Sequence, residues 1–310
     1  MENRTARLKR IRILAVALVL LSLLILLVSA HIRLSGAGLG CSPWPDCYGQ
    51  LLAGAANLHG DAARILHRSA ASLALVLGFV LVAQCLRPQP VQPAARWATA
   101  LLSLMIALTF VGLFSADPHR VWPGFINILG GAGLVLLSWR TALAAGADPG
   151  PPPRPAPLLH AGAGLLVLTM ALGALIGVRY AATACLSLPA CGDVAWPVAA
   201  GWSALNPFTV IAAAAGPGDE GGVALHLLHR YCALATLLLL GIGGLQGLAQ
   251  PATRASAVLL LALLLVQFAL GVLTVLSGFG LWLAVAHSVC ASLLLAATLQ
   301  LMTRPATATM

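Results

Sequence analysis

The chain has 310 residues, 60% of them hydrophobic and only 8% charged, with a mean hydropathy of +0.96. A soluble domain of this size cannot keep so much apolar surface from water, so the composition excludes a soluble enzyme and indicates a polytopic membrane protein. The net charge of +9 does not signal a nucleic-acid partner, because its distribution reads as a topology signal.

A spanning helix needs roughly 20 apolar residues, since about 30 Å of hydrocarbon is crossed at about 1.5 Å per residue. Eight segments qualify in chain order: about 13–30, 64–86, 97–115, 123–139, 158–178, 223–247, 255–276 and 282–302. The fourth is the shortest. Arg4, Arg7, Lys9, Arg10 and Arg12 precede the first segment, and Arg87, Arg96, Arg140, Arg154, Arg254 and Arg304 fall on the same side if all eight span. That side holds eleven of the 17 Lys and Arg. The other side holds Arg33, Arg64, Arg68, Arg120, Arg179 and Arg230, offset by Asp46, Asp61, Asp117, Asp193, Asp219 and Glu220. Both termini are therefore expected in the cytoplasm. The first segment ends in Val-Ser-Ala like a signal peptide, but its apolar run is long for one, so it reads as an uncleaved anchor.

Residues 146–157, Gly-Ala-Asp-Pro-Gly-Pro-Pro-Pro-Arg-Pro-Ala-Pro, cannot be helical, because proline removes donors and clashes with the preceding turn. They read as a cytoplasmic linker between an N-terminal half, 1–145, and a C-terminal half, 158–310. Each half carries an even number of helices, so both enter from the same side and form a parallel repeat. The expected fold is an all-α integral membrane protein of two four-helix bundles. Its long external loops are 31–63 and 179–222. Segment 192–222 mixes Trp196, Trp202 and Phe208 with Pro and Gly, which suggests an interfacial element.

The two halves repeat one layout. Cys41-x5-Cys47 is followed by His67-Arg68 and then Asn127; Cys185-x5-Cys191 is followed by His229-Arg230 and then His287. All four cysteines fall on the external side, which is oxidising in a bacterial-type membrane, and each pair can close a small loop. Zinc is the weaker reading, since the spacing is not the usual Cys-x2–4-Cys. Unpaired loop cysteines are the bland alternative. Cys85, Cys232 and Cys290 lie in helices and read as packing residues.

His67, His229 and His287 sit near the external ends of helices 2, 6 and 8. Ionisable groups in spanning helices are costly and face the bundle interior or a water-filled cavity. Neutral imidazoles from facing helices can ligate a haem iron, and His229 with His287 form the natural axial pair. Arg230 and Arg68 can fork onto haem propionates at the membrane surface. The plainer alternative is that the histidines cap helices or bond to neighbours. His226, one turn before His229, is a hydrogen-bond donor behind a ligand, an alternative ligand or a polar helix-end residue. His31, His59, His119 and His160 lie at loop edges, where a solvated role is the default. In the first half Asn127 stands opposite His287 and is a poor ligand, so an iron on His67 is five-coordinate or recruits His119 or His59.

These motifs together resemble the haem A synthases, membrane enzymes that oxidise a methyl group of haem O to the formyl group of haem A. The resemblance covers about residues 10–302. Arg33-Leu-Ser-Gly-Ala-Gly-Leu-Gly-Cys41-Ser-Pro-Trp-Pro-Asp-Cys47-Tyr-Gly is similar to the family's first external loop with its disulfide cysteines. Cys185-Leu-Ser-Leu-Pro-Ala-Cys191-Gly-Asp-Val-Ala-Trp-Pro resembles the second loop. His229-Arg230 and Ala286-His287-Ser288 resemble the motifs where the family binds haem b. The resemblance makes the first half the site of substrate haem, with Cys41 and Cys47 near it and His67 as its iron ligand. It implies haem O delivered by a haem O synthase, an unidentified electron donor, a multi-pass place in the cell inner membrane with external cysteine loops, and possible homo-oligomers.

Two departures stand out. The family's Glu-x-x-His-Arg has Arg64 in place of its glutamate, with Asp61 the nearest acid and a candidate proton carrier. The family's His-Leu-Leu-Gly-Gly in helix 4 is Asn127-Ile-Leu-Gly-Gly. A working enzyme and a catalytically degenerate haem b protein both remain open. A transporter ranks last, with Gly130-Gly131 and Gly241-x-Gly243-Gly244 as weak candidates for broken helices.

Overall fold

The computed structural model describes residues 4–54, 61–146, 156–191 and 199–303. Among the described residues eight helices are long and apolar enough to cross a membrane, and we label them α1 (Arg4–Ala37), α2 (Asp61–Leu86), α3 (Ala94–Gly112), α4 (Val121–Gly146), α5 (Pro157–Val178), α6 (Glu220–Leu248), α7 (Pro251–Leu276) and α8 (Leu281–Met302). The chain is an all-helical, multi-pass membrane protein. Most of the 146–157 linker, 147–155, lies outside the described residues.

The helix ends follow from local chemistry. Proline opens α5 and α7 at the first turn, where its missing N–H is no loss. Asp219 caps α6 by accepting the Gly222 N–H at 2.7 Å, with Glu220 in the first turn to complement the helix dipole. The α7–α8 reversal is tight: Gly278 and Phe279 both take positive φ (67° and 62°), and the Phe279 N–H reaches back to the Thr274 carbonyl at 2.7 Å. α1 extends well beyond the expected 13–30. Its basic N-terminal residues remain helical, and Arg7 reaches α2, donating from Nε to the Gln84 carbonyl (2.9 Å) and from Nη2 to the carbonyls of Cys85 (3.1 Å) and Gln89 (2.8 Å). A cation on the last carbonyls of a helix satisfies groups that the ladder leaves unpaired.

The described chain divides into two compact units. The first takes residues 1–32, 60–116 and 126–150. Its core joins Ile11, Ala15 and Leu18 of α1, Ala74 and Leu81 of α2, Leu101 of α3 and Leu134 of α4. Gly130 sits inside the unbroken α4, where a Cβ would collide with the Leu108 side chain. It is a close-packing position, not a break.

The second unit takes residues 33–59, 117–125 and 151–310. It therefore contains α5–α8 and also the first long loop, which carries Cys41 and Cys47. That loop is fixed at several points: Tyr48 accepts the Ala182 N–H at 3.4 Å, its ring lies 6.1 Å from that of Tyr180, and Gly49 packs against Ala214. α6 runs without interruption past Gly241, Gly243 and Gly244, so neither glycine run breaks its helix. In the second loop a single helical turn at Ala199–Trp202 leads into a tighter turn at Ser203–Leu205. Trp202 and Phe208 are exposed there, while Trp196 lies outside the described residues.

Candidate functional site

His229 lies nine residues into α6 and His287 six residues into α8. Their ring centres are 6.3 Å apart with planes at 67°. A metal between two imidazoles, with bonds of about 2.0 Å and about 1 Å more from each nitrogen to its ring centre, separates the centres by about 6 Å. The observed pair fits that span. No group of three or more His, Cys, Asp and Glu side chains suited to a metal occurs among the described residues. Two imidazoles suit an iron whose other four ligands come from a porphyrin.

Each ring is held by the neighbouring helix in the same way. His229 Nδ1 donates to the Thr169 carbonyl of α5 at 2.9 Å, which leaves Nε2 with a free lone pair. A ligating imidazole needs this outward hydrogen bond to fix its tautomer and orientation. One turn further along α5 lies Gly173, where a Cβ would come 3.0 Å from His229 Cε1. On α7 the Gln267 amide nitrogen lies 3.2 Å from both ring nitrogens of His287. Gln267 Oε1 is buried without a partner. Which amide end is which is a matter of assignment; turned over, the amide lets Oε1 accept the His287 Nδ1 proton and frees Nε2. One turn beyond Gln267 lies Gly271, where a Cβ would come 3.1 Å from His287 Cε1. Thus a polar acceptor and a glycine, four residues apart on one face, seat each histidine.

His226 is 3% exposed and donates from Nε2 to the Ala181 carbonyl at 2.9 Å. Its ring meets Phe279 edge-on at 5.8 Å. It ties the second cysteine-bearing loop to α6. Arg230 donates from Nη1 to the carbonyls of Pro189 (3.0 Å) and Ala190 (3.5 Å), and its Nη2 is buried without a partner. One arm of the guanidinium therefore holds the cysteine loop and the other remains a donor.

The cysteines form two disulfides, Cys41–Cys47 with Cα atoms 6.1 Å apart and Cys185–Cys191 with Cα atoms 4.9 Å apart. Cys185 and Cys191 pack with Val223 and Leu227 of α6, so the second loop is anchored directly on the helix that carries His229. Cys85 and Cys290 are buried and free, and Cys232 is free and part-buried.

The first unit is different. His67 is part-buried on α2 and has no hydrogen-bond partner among the described residues, and Arg68 is exposed. Asn127 donates from Nδ2 to Ser115 Oγ at 2.9 Å, so the residue opposite His287 serves a local helix–loop bond. Asp61 opens α2, but its side chain lies outside the described residues, as does His59. His119 is less solvated than expected: Nδ1 donates to the Ile211 carbonyl at 2.7 Å. His31 lies within α1, and His160 bonds back to the Ala156 carbonyl at 2.8 Å.

The pairing of His229 with His287 is readable from the repeated layout. Thr169, Gly173, Gln267 and Gly271 are not singled out by it. Gln267 does leave a trace, as the one polar side chain in the apolar run 257–273.

The sequence profile of the cytochrome oxidase assembly proteins (COX15-CtaA) matches residues 119–299, a span that holds Asn127, His229 and His287. A protein named heme A synthase from Shewanella oneidensis strain MR-1 is 29% identical over 305 residues, covering 88% of this chain and 90% of that protein. The chain belongs to the COX15-CtaA family of cytochrome oxidase assembly proteins, the family of the haem A synthases.

Proposed function

We propose that this chain is a haem A synthase, an oxidoreductase that converts a methyl group of haem O to the formyl group of haem A for terminal oxidases. The observation that carries the reading is the paired seat of His229 and His287: two imidazoles at iron-spanning distance, one already bonded outward through Nδ1. In this reading the C-terminal half, 158–310, holds haem b, and the N-terminal half, 1–145, takes haem O. Haem b, when bound, supplies a one-electron relay.

The residues divide the remaining work. His229 and His287 would hold haem b, with the Thr169 carbonyl and Gln267 fixing their rings. The unpartnered Nη2 of Arg230 is a donor for a propionate oxygen. His67 holds the substrate through its iron, Arg64 and Arg68 attract its carboxylates, and Asp61 carries protons in place of the missing glutamate. Haem O arrives from a haem O synthase within the lipid phase. The cysteine loops face the periplasmic side of the inner membrane and both termini face the cytoplasm, as the distribution of Lys and Arg supports.

The bond between Asn127 and Ser115 favours a second reading, a haem b protein of the same family whose first half has lost its chemistry. Haem extraction decides between them. The wild type and His67→Ala are co-expressed with a haem O source, purified, and assayed by pyridine haemochrome spectrum. Haem A or hydroxylated haem O in the wild type, lost in the variant, is the expected result. Haem b alone at one per chain, unchanged by the variant, would establish the second reading.

A further inference from the structure

Arg33 lies near the C-terminal end of α1, within the second compact unit. Its Nη1 stands so close to α5 that a Cβ at Gly177 would come 2.8 Å from it. Gly177 is four residues beyond Gly173, which packs on the His229 ring. Positions four apart share a face, about one turn or 5.4 Å along the axis. The guanidinium therefore stands about one turn above His229, on the same face of α5 and toward the cysteine loops.

The surroundings of Arg33 are donors. The titratable groups that act on it are Tyr48 and Tyr180, and no acidic side chain does so among the described residues. Arg33 makes no hydrogen bond and no ion pair there either. Tyr48 is buried, and its oxygen accepts the Ala182 N–H, which leaves the phenol proton free to donate. Tyr180 is buried beside it and holds a positive φ of 52°, a conformation that a bulky residue keeps only when its surroundings enforce it. Arg179, two residues beyond Gly177, shows the contrast. It donates to Thr209 Oγ1 at 2.7 Å and to the Asn206 carbonyl at 3.4 Å, and Asp219 acts on it. A part-buried cation without a counter-charge is costly. A guanidinium packed on α5 at Gly177, with two phenols in its electrostatic surroundings and no acid, can receive an oxyanion.

We infer that Arg33, assisted by the Tyr48 and Tyr180 hydroxyls, receives a propionate carboxylate of the porphyrin whose iron His229 and His287 hold. This rests on the haem reading of that pair. The carboxylates of such a porphyrin hang from one edge of the macrocycle, to the side of the axial ligands, and Arg33 lies to the loop side of His229. The seat would join the end of α1 and the Cys41–Cys47 loop to the second half's site, in the compact unit to which residues 33–59 belong.

The test uses the full-length protein in detergent, freed of haem and titrated with iron protoporphyrin IX or its dimethyl ester. Binding is followed by the low-spin Soret band. The wild type is expected to prefer the diacid by about ten- to hundred-fold, the value of a charge-assisted hydrogen bond. Arg33→Gln is expected to lower that ratio about ten-fold, leaving the part that Arg230 supplies, and Arg33→Lys to restore part of the loss. The double variant Tyr48→Phe with Tyr180→Phe keeps the cation and the ring packing and should lower the ratio about three-fold, which serves if Arg33→Gln fails to fold. A ratio unchanged in these variants would overturn the inference, as would a wild type that binds diacid and diester equally. In that case a dependence of stability on added phosphate or anionic lipid, lost in Arg33→Gln, would identify a phosphate as the occupant instead. A wild type that gives no low-spin band with either porphyrin would sink the haem reading itself, a result distinct from an unchanged ratio.

Discussion

The two halves of this chain carry the same motif and treat it differently. In the second half each histidine rests on a neighbouring helix, with an acceptor one turn from a glycine: Thr169 and Gly173 under His229, Gln267 and Gly271 beside His287. In the first half, α1 has no glycine before Gly36 and α3 none before Gly112. His67 lacks a hydrogen-bond partner among the described residues, and Asn127 is bonded to Ser115. A residue type at the right spacing is therefore not yet a ligand site. The site also requires room for the ring and an acceptor that fixes its tautomer.

The largest effect separates the halves outright. His229→Ala or His287→Ala should abolish the low-spin haem b spectrum and reduce haem b from about one per chain to near zero, because each removes one of the two imidazoles proposed to hold it. His67→Ala should leave that spectrum unchanged. Equal losses from all three variants, measured as haem per protein, would break the comparison. Next comes the support of His287. Gln267→Leu should weaken haem b binding by about ten- to hundred-fold, the usual cost of deleting a partner behind a ligand. Thr169→Val should do far less, since His229 bonds to the main-chain carbonyl at that position, not to the side chain. Titration of haem into the two variants checks the difference.

The glycines give a finer test. Gly173→Ala places a methyl group 3.0 Å from His229 Cε1, so the ring must tilt. A roughly ten-fold loss of haem affinity and a shifted Soret band are expected. Gly164→Ala, on the same helix with nothing within 4 Å, should instead stabilise the protein by about 0.5–1 kcal/mol, the ordinary gain from replacing a helical glycine. Thermal unfolding and Soret spectra of the pair distinguish ring seating from helix propensity.

What the sequence reveals follows from what leaves a local mark. Eight spans are legible because each must supply its own run of apolar residues. Their ends are less so: α1 begins at Arg4 and not near residue 13, because Arg and Lys are good helix formers and Arg7 finds the carbonyls of α2. The fourth helix reaches Gly146 and not 139, since nothing before the proline-rich linker stops it. The histidine pair is visible as a repeat, yet its seat is not. A main-chain carbonyl such as that of Thr169 carries no side-chain signature, and a glycine in an apolar helix has many possible reasons. The group of Arg33, Tyr48 and Tyr180 is further from reach. Its members lie in α1 and in two loops, and only the folded chain brings them together.

The smallest effect tests whether Asn127 has a structural task or stands in for a ligand. Its amide donates to Ser115 Oγ across the α3–α4 connection. Side-chain hydrogen bonds in membrane proteins contribute about 0.6 kcal/mol on average, because the alternative state also finds partners. Asn127→Ala and Ser115→Ala should each lower stability by roughly that amount, and the double variant should lose little more than either alone, as expected for two ends of one bond. Haem b content should not change in any of the three. A loss of haem from Asn127→Ala, with Ser115→Ala unaffected, would mean that asparagine acts at the porphyrin, and the first half would then have to be regarded as a second, differently ligated site.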